Sequence, residues 1–146
     1  MKDIIKKAKE FATKKHKGQL DDSGLPYINH PIMVASIISM VSMDKNLIAA
    51  AYLHDIIEDT QTTYEELIKE FNQDVADLVM EVTHEGQKDE IGYYFPRLHT
   101  QRGIILKFAD RLSNLSRMEP WNQKRRDQYL RKSKFWNSNG KKEKTI

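Results

Sequence analysis

An apolar segment of the chain ends in a dense run of ionisable residues. Residues 47–53 carry almost no polar side chain, and His54, Asp55, Glu58 and Asp59 follow within six positions. Side chains four positions apart share a helix face, so His54 pairs with Glu58 and Asp55 with Asp59. Acids at a helix C-terminus oppose the macrodipole by about 0.3–1 kcal/mol each, so an ordinary charged helix end explains the run less well than a bound cation does. The pattern favours a metal site.

Two residues elsewhere in the chain would complete such a site. His30 lies between a glycine- and proline-containing loop and the next helix, and Asp110 is an acid in an otherwise apolar helical stretch. Taken singly, His30 is typical of a capping or core histidine, and Asp110 of an ion-pair partner for Lys107 or Arg111. With the His-Asp doublet they give two imidazoles and two carboxylates, which suit Mn²⁺, Fe²⁺ or Zn²⁺. The chain has no cysteine, which excludes disulfides, thiolate nucleophiles and thiolate metal sites.

Helical periodicity dominates the sequence that must position these residues. The apolar spacing predicts helices at about 2–16, 31–43, 45–57, 62–71, 74–82, 104–118 and 122–136. Glycines and prolines make 17–29 a loop and leave 84–100 without an assignment. We find no repeats and no alternation of strands and helices. We therefore predict an all-α protein, with one compact domain at 1–136 and a basic disordered tail at 137–146.

Composition narrows the class of protein. The chain has 146 residues, of which 39% are hydrophobic and 31% charged, enough for one buried core. No stretch approaches the roughly 20 apolar residues of a membrane-spanning helix, and the N-terminus lacks the apolar core of a signal peptide. We therefore expect a cytoplasmic protein with no membrane partner.

The net charge of +3 is unevenly distributed along the chain. Residues 121–146 contain nine Lys and Arg against two acids, which leaves the rest of the chain at −4. A basic end is a feature of nucleic-acid-binding proteins, but a solvated, amphipathic C-terminal helix with a frayed end accounts for it better. We do not expect nucleic acid as a partner, and the sequence does not determine the oligomeric state.

The order of the motifs resembles a known family. Four segments, at 16–19, 23–31, 50–60 and 107–115, read HKGQ, SGLPYINHP, AAYLHDIIEDT and KFADRLSNL. The sequential His, His-Asp and Asp within them are similar to the HD superfamily of metal-dependent phosphohydrolases. The flanking residues are similar to the hydrolase domain of the Rel/Spo alarmone enzymes, and the short chain resembles the single-domain small alarmone hydrolases. The resemblance extends over about residues 8–118.

The resemblance implies a fold, a cofactor and a reaction. The fold would be the compact, all-helical HD domain, here residues 1–136. The cofactor would be a single Mn²⁺, with Fe²⁺ or Zn²⁺ as alternatives, bound by His30, His54, Asp55 and Asp110. The substrate would be a nucleotide, (p)ppGpp, whose 3′-pyrophosphate is hydrolysed to leave GDP or GTP and pyrophosphate.

The resemblance also assigns roles to other residues. Glu58 and Asp59 match the family's catalytic acidic pair, and Glu58 can position or deprotonate the attacking water. Tyr27 supports His30, stacks near the base or has only a packing role. Asn114 matches a substrate-site asparagine of the family, and the further candidates for substrate contact are Ser23, Tyr27 and Lys17, of which Lys17 is a possible phosphate contact or a solvated surface residue.

One loop departs from the family pattern. The family loop reads Gln-x-Arg-Lys-Ser-Gly, where this chain has Gln19-Leu20-Asp21-Asp22-Ser23-Gly24. Like charges about 5 Å apart repel by roughly 3 kcal/mol at an effective dielectric constant near 20, so the two acids weaken (p)ppGpp binding unless they face solvent. Two alternatives stay open: an HD phosphohydrolase of another nucleotide, such as a dNTP or NADPH, and an inactive HD scaffold that binds nucleotide or RNA.

Overall fold

The structure, a computed structural model, describes residues 3–84 and 98–116, the single residue Lys124 and the backbone of 93–94 and 144–145. These residues are helical apart from loops and one short strand pair, which confirms the predicted all-α class. Seven helices and two strands of two residues follow one another as α1 Ile4–Lys15, α2 Asn29–Val41, α3 Lys45–Leu53, α4 Ile56–Asp59, α5 Tyr64–Glu70, α6 Gln73–Glu81, β1 Tyr93–Tyr94, α7 Gln101–Leu115 and β2 Lys144–Thr145 in the described part of the chain.

Helix α3 lies at the centre of the fold. It packs against α1, α2 and α6, and it also touches α7. Most of its side chains are buried, namely Leu47, Ile48, Ala49, Ala50, Ala51 and Leu53. A helix that is apolar nearly all round can be covered on several sides, and its small alanines let neighbouring helices come close. The residues that follow α3 therefore leave it in the interior of the protein.

The predicted single helix over 45–57 is wrong, because α3 ends at Leu53 and α4 begins at Ile56. Asp55 has φ −100° and ψ 3°, which interrupts the helical backbone. Consecutive side chains on a straight helix point about 100° apart. Here the imidazole of His54 and the carboxylate of Asp55 instead come within 3.0 Å of each other. The break thus directs two adjacent side chains at one point.

The other predicted helices within the described residues agree with the structure to within three residues at each end. Side chains that accept a backbone N–H of the first turn define five of the helix starts, and they belong to Asp3, Asp44, Thr63, Asn72 and Thr100. Helix α2 begins before the predicted position 31, so His30 lies in its first turn. The predicted helix over 122–136 lies outside the described residues, apart from Lys124.

The strands β1 and β2 form one antiparallel pair, in which Tyr93 lies opposite Thr145. The apolar spacing of the sequence does not predict this pair. Strand β2 falls inside the segment 137–146, and the division between a domain at 1–136 and a disordered tail stays a prediction. None of the helices in the described ranges has the length and apolar character that crossing a bilayer requires.

Helix α7 is anchored at its start by a buried acid. Glu81 is 4% exposed, and its carboxylate accepts hydrogen bonds from the backbone N–H groups of His99 and Thr100, at 3.1 and 2.9 Å, and from the hydroxyl of Thr100 at 2.6 Å. Backbone donors at a helix start have no partner within the helix, so this carboxylate stabilises the first turn. Glu81 therefore fixes the position of the helix that carries Asp110.

We expect Gly103→Ala to destabilise the protein. A Cβ atom at position 103 would lie 2.1 Å from Oε1 and 2.7 Å from Cδ of Glu81, so the buried carboxylate or α7 has to move. Overpacking of this kind costs about 1–3 kcal/mol of unfolding free energy, measurable by urea denaturation. The exposed neighbour Gln101 provides the control, since Gln101→Ala changes stability by less than about 0.5 kcal/mol. Equal stability of the two variants would contradict the close packing.

Candidate metal and catalytic site

Three parts of the fold bring two imidazoles and two carboxylates together. His30 comes from the first turn of α2, His54 and Asp55 from the turn between α3 and α4, and Asp110 from α7. Each offers one ligand atom, and the four atoms lie within 4.8 Å of one another. This four-residue cluster consists of the same four residues that the sequence suggests as metal ligands. Within the described ranges, no second group of three or more such side chains is assembled in this way.

The nitrogen atoms of the two histidines lie at the centre of the cluster. Nε2 of His30 and Nε2 of His54 are 3.2 Å apart. Nε2 of His30 is also 2.9 Å from Oδ1 of Asp110, and Nε2 of His54 is 3.0 Å from Oδ2 of Asp55. Both imidazoles are 2% exposed, so the centre is shielded from bulk water.

The outer nitrogen of each imidazole has a partner of its own. Nδ1 of His54 donates to the carbonyl oxygen of Ala51 at 2.8 Å, because that oxygen can only accept. Nδ1 of His30 lies 2.9 Å from the hydroxyl of Ser113, which is fully buried. These bonds orient both rings and turn Nε2 inward, which is how protein imidazoles bind metal ions.

The charges of the cluster fit a divalent cation. Burial alone would lower the pKa of His54, but the carboxylates of Asp55 and Asp110 outweigh it and raise this pKa well above its ordinary value. Burial likewise opposes ionisation of Asp55, yet the two histidines hold its pKa well below the usual range. A site that draws a proton so strongly attracts positive charge. Two imidazole nitrogens and two carboxylate oxygens are suitable ligands for a first-row divalent metal.

A buried lysine supplies positive charge beside the cluster. Nζ of Lys107 donates to Oδ2 of Asp110 at 3.1 Å, and the two residues are 5% and 6% exposed. Burial lowers the pKa of Lys107, and Asp110 partly offsets that effect. The bond engages one oxygen of Asp110 while Oδ1 faces His30. Asp110 can therefore be an ion-pair partner of Lys107 and a metal ligand at the same time.

Two of the predicted substrate-binding residues contact the cluster. The hydroxyl of Tyr27 donates to Oδ2 of Asp55 at 2.5 Å, and its ring lies edge-on to His30 with the ring centroids 5.8 Å apart. Nδ2 of Asn114 lies 3.5 Å from Oδ1 of Asp110. Of the three roles expected for Tyr27, these contacts favour support of the histidine over stacking on a base.

The other two predicted substrate-binding residues lie apart from the cluster. Lys17 and Ser23 are exposed. Ser23 donates its backbone N–H to Oδ1 of Asp21 at 2.8 Å. Within the described ranges, neither side chain hydrogen-bonds or ion-pairs with the cluster. Their substrate contacts stay predictions.

The acidic pair Glu58 and Asp59 occupies α4, directly after the His-Asp doublet. Oε2 of Glu58 accepts the backbone N–H of His84 at 2.8 Å. Burial and the charge of Asp55 raise the pKa of Glu58 to about 8 and the pKa of Asp59 to about 6. Carboxyl groups with such values exchange protons near neutral pH, as a general acid or base must.

Sequence reasoning missed three contacts of the site. The hydroxyl of Ser113 lies beside Nδ1 of His30, and the backbone N–H of His84 donates to Glu58. Nε2 of Gln19 donates to the carbonyl oxygen of Asp59 at 2.9 Å. The role of Ser113 had a local signal, because it lies three residues after Asp110 and so on the same helix face. Gln19 and His84 are far from their partners in sequence, and no local pattern indicates those contacts.

Comparison with known protein families and sequences places the chain among HD proteins. The family described as HD domain matches residues 8–91. A guanosine-3′,5′-bis(diphosphate) 3′-pyrophosphohydrolase of Aquifex aeolicus is 40% identical over 130 residues, which cover 84% of this chain and 19% of that protein. The chain thus spans about one fifth of the length of such bacterial relatives.

Shorter animal relatives match over most of their own length. The guanosine-3′,5′-bis(diphosphate) 3′-pyrophosphohydrolase MESH1 of Xenopus tropicalis is 36% identical, with 87% of this chain and 79% of that protein covered. MESH1 of Drosophila melanogaster is 34% identical, with coverage of 83% and 75%. A solved structure of a metazoan SpoT orthologue that hydrolyses ppGpp superimposes with a TM-score of 0.81 at 33% identity, covering 97% of this chain and 89% of that one. The chain therefore belongs to the HD-domain family, together with the MESH1-type proteins.

Proposed function

We propose that this protein hydrolyses the 3′-pyrophosphate of ppGpp and pppGpp, with a divalent metal ion, to give GDP or GTP and pyrophosphate. The observation that carries the proposal is the buried four-residue cluster of two histidines and two aspartates, with Glu58 beside it. The MESH1 proteins, which the chain matches over most of their length, carry this activity in their names.

The four-residue cluster would hold the metal ion through Nε2 of His30 and His54 and one carboxylate oxygen each of Asp55 and Asp110. We propose Mn²⁺, with Fe²⁺ or Zn²⁺ as alternatives, because this ligand set accepts all three and availability in the cell selects among them. When bound, such an ion acts as a Lewis acid toward phosphoryl oxygens and lowers the pKa of a water molecule. The bonds from Lys107 and Tyr27 hold the two carboxylates in position.

In this proposal Glu58 is the general base that removes a proton from the attacking water. Its carboxylate is held by the backbone N–H of His84, and its raised pKa makes it a stronger base than an exposed glutamate. Asp59 would orient the same water. The side chain of Gln19 donates to the backbone carbonyl oxygen of Asp59, and burial and the charge of Asp55 raise the pKa of Asp59.

On the substrate side, Asn114 is the proposed contact nearest to the cluster, while Lys17 and Ser23 would act from the exposed loop. The loop acids differ in role. Oδ1 of Asp21 accepts the backbone N–H groups of Ser23 and Leu25, at 2.8 and 3.0 Å, so Asp21 stabilises the loop itself. Asp22 is more exposed than Asp21. We therefore assign the expected repulsion of substrate phosphates to Asp22.

Turnover of a nucleotide panel tests the proposal. Purified protein is supplied with Mn²⁺, Fe²⁺ or Zn²⁺, with and without chelator, and offered ppGpp, GTP, dNTPs and NADPH. We expect metal-dependent release of pyrophosphate and GDP from ppGpp. Turnover of a dNTP or NADPH in place of ppGpp would support an HD phosphohydrolase of different specificity. Binding without any turnover would support the inactive scaffold.

We expect Asp55→Asn to lose the metal ion while Glu58→Gln keeps it. The first change removes a charged ligand, whereas the second neutralises an acid outside the cluster. Loss of a group that merely orients a ligand lowers metal affinity by about 10–100-fold, so loss of a ligand should lower it further. Metal content after dialysis, measured by elemental analysis, separates the two variants. Equal metal content in both would rule out Asp55 as a ligand.

Glu58→Gln should lower kcat by about 10²–10⁴-fold, the usual range for a lost acid–base group. Only ionised Glu58 can accept a proton, so the wild-type rate falls as the pH drops through the pKa of Glu58. That pKa is about 8 without metal, and the positive charge of a bound ion moves it lower. The pH profile of kcat should therefore lose its ascending limb in Glu58→Gln. A limb that persists unchanged would assign the titration to another group.

Asp22→Lys should lower KM for ppGpp several-fold and leave kcat little changed, because it replaces an anion near the substrate with a cation. The effect should fade at high salt, which screens exposed charges. The matched control is Asp21→Asn, which keeps the size of the side chain while removing the charge that the loop bonds use. An unchanged KM for Asp22→Lys at low salt would show that the loop does not face the substrate.

A further inference from the structure

His84 meets one oxygen atom of Glu58 in two ways. Its backbone N–H donates to Oε2 of Glu58 at 2.8 Å, and its imidazole Nε2 lies 3.5 Å from the same oxygen. The main-chain bond holds the carboxyl group beside the imidazole, with Nε2 at the outer limit of hydrogen-bond distance. Catalytic hydrogen bonds are often this long before substrate binds.

The two side chains differ in their access to water. The side chain of Glu58 is 16% exposed and that of His84 is 23% exposed, so the imidazole is the more accessible of the two. A partly buried base with a raised pKa needs a route by which the proton leaves before the next turnover. His84 lies at the right place to provide it.

We propose that His84 is the proton relay of Glu58, carrying to solvent the proton that Glu58 takes from the attacking water. This inference rests on the proposed function and adds a positioning residue to it.

The proposed steps balance in atoms and charge. The water oxygen bonds to phosphorus, its proton passes to Oε2 of Glu58, and the bond from phosphorus to the leaving oxygen breaks. The leaving oxygen takes a proton from solvent. Oε2–H of Glu58 then protonates Nε2 of His84, and the imidazolium gives a proton to solvent water. Both side chains return to their starting states, and one water molecule is consumed.

The groups around His84 favour rapid return of the neutral imidazole. Glu58 faces it from α4 and Lys107 acts on it from α7, while Asp55 acts from the turn before α4. Burial and the positive charge of Lys107 lower the pKa of His84, and Asp55 only partly opposes them. An imidazolium in this position therefore loses its proton readily near neutral pH.

His84→Ala tests the relay against a simple structural role. We expect kcat for ppGpp to fall about tenfold or more, with KM and metal content unchanged, and added imidazole to restore most of the lost rate. The matched control is His99→Ala, which removes a histidine with a 72% exposed side chain near the carboxylate of Glu81 and should leave kcat unchanged. A kcat within twofold of wild type, or a loss that imidazole does not restore, would overturn the relay.

A measurement on the metal-free protein keeps the test independent of activity. The NMR signals of the His84 ring should show, besides their own titration, a second inflection near pH 8 from ionisation of Glu58. This inflection should vanish in Glu58→Gln and persist in Glu65→Gln. Its absence from the wild type would show that the two groups do not interact and would overturn the relay. Wild-type protein that turns over no nucleotide would instead contradict the proposed function.

Discussion

Four potential ligand atoms lie within 4.8 Å of one another in the interior of the protein, and the surrounding structure must hold them there. Two of them belong to carboxylates, and buried charges are costly unless they are paired and hydrogen-bonded. Lys107 engages one aspartate, and Tyr27 engages the other. Ala51 and Ser113 turn the imidazole nitrogens inward. The site is therefore preorganised for a cation, and the same carboxylates raise the pKa of His54 well above its ordinary value.

Helix α7 is the element on which this arrangement depends most. Spacings of three and four residues place Lys107, Asp110, Ser113 and Asn114 along one side of it, where each contributes to the cluster or to its support. These side chains reach the cluster only if the rotation of α7 about its axis and its position along that axis are fixed. The buried carboxylate of Glu81 fixes them at the first turn, far from the chemistry. A structural acid thus sets the position of the proposed metal ligand Asp110.

The departure of the loop at 19–26 from the family pattern has a partly structural explanation. The side chain of Asp21 closes the loop by accepting the backbone N–H groups of Ser23 and Leu25, a common use of aspartate in turns. The change from basic to acidic residues therefore affects the hydrogen bonds that hold the loop as well as its charge.

The sequence by itself determined the helical class, most helix positions and the composition of the four-residue cluster, because apolar periodicity and the order of the motifs are local signals. It did not determine the break after Leu53, since a straight helix and a broken one have the same apolar pattern. It also did not reveal the contacts of Gln19 with Asp59 or of His84 with Glu58, which join residues 40 and 26 positions apart. Such contacts arise only when packing brings separate helices together, so the tertiary structure alone decided which side chains support the acids.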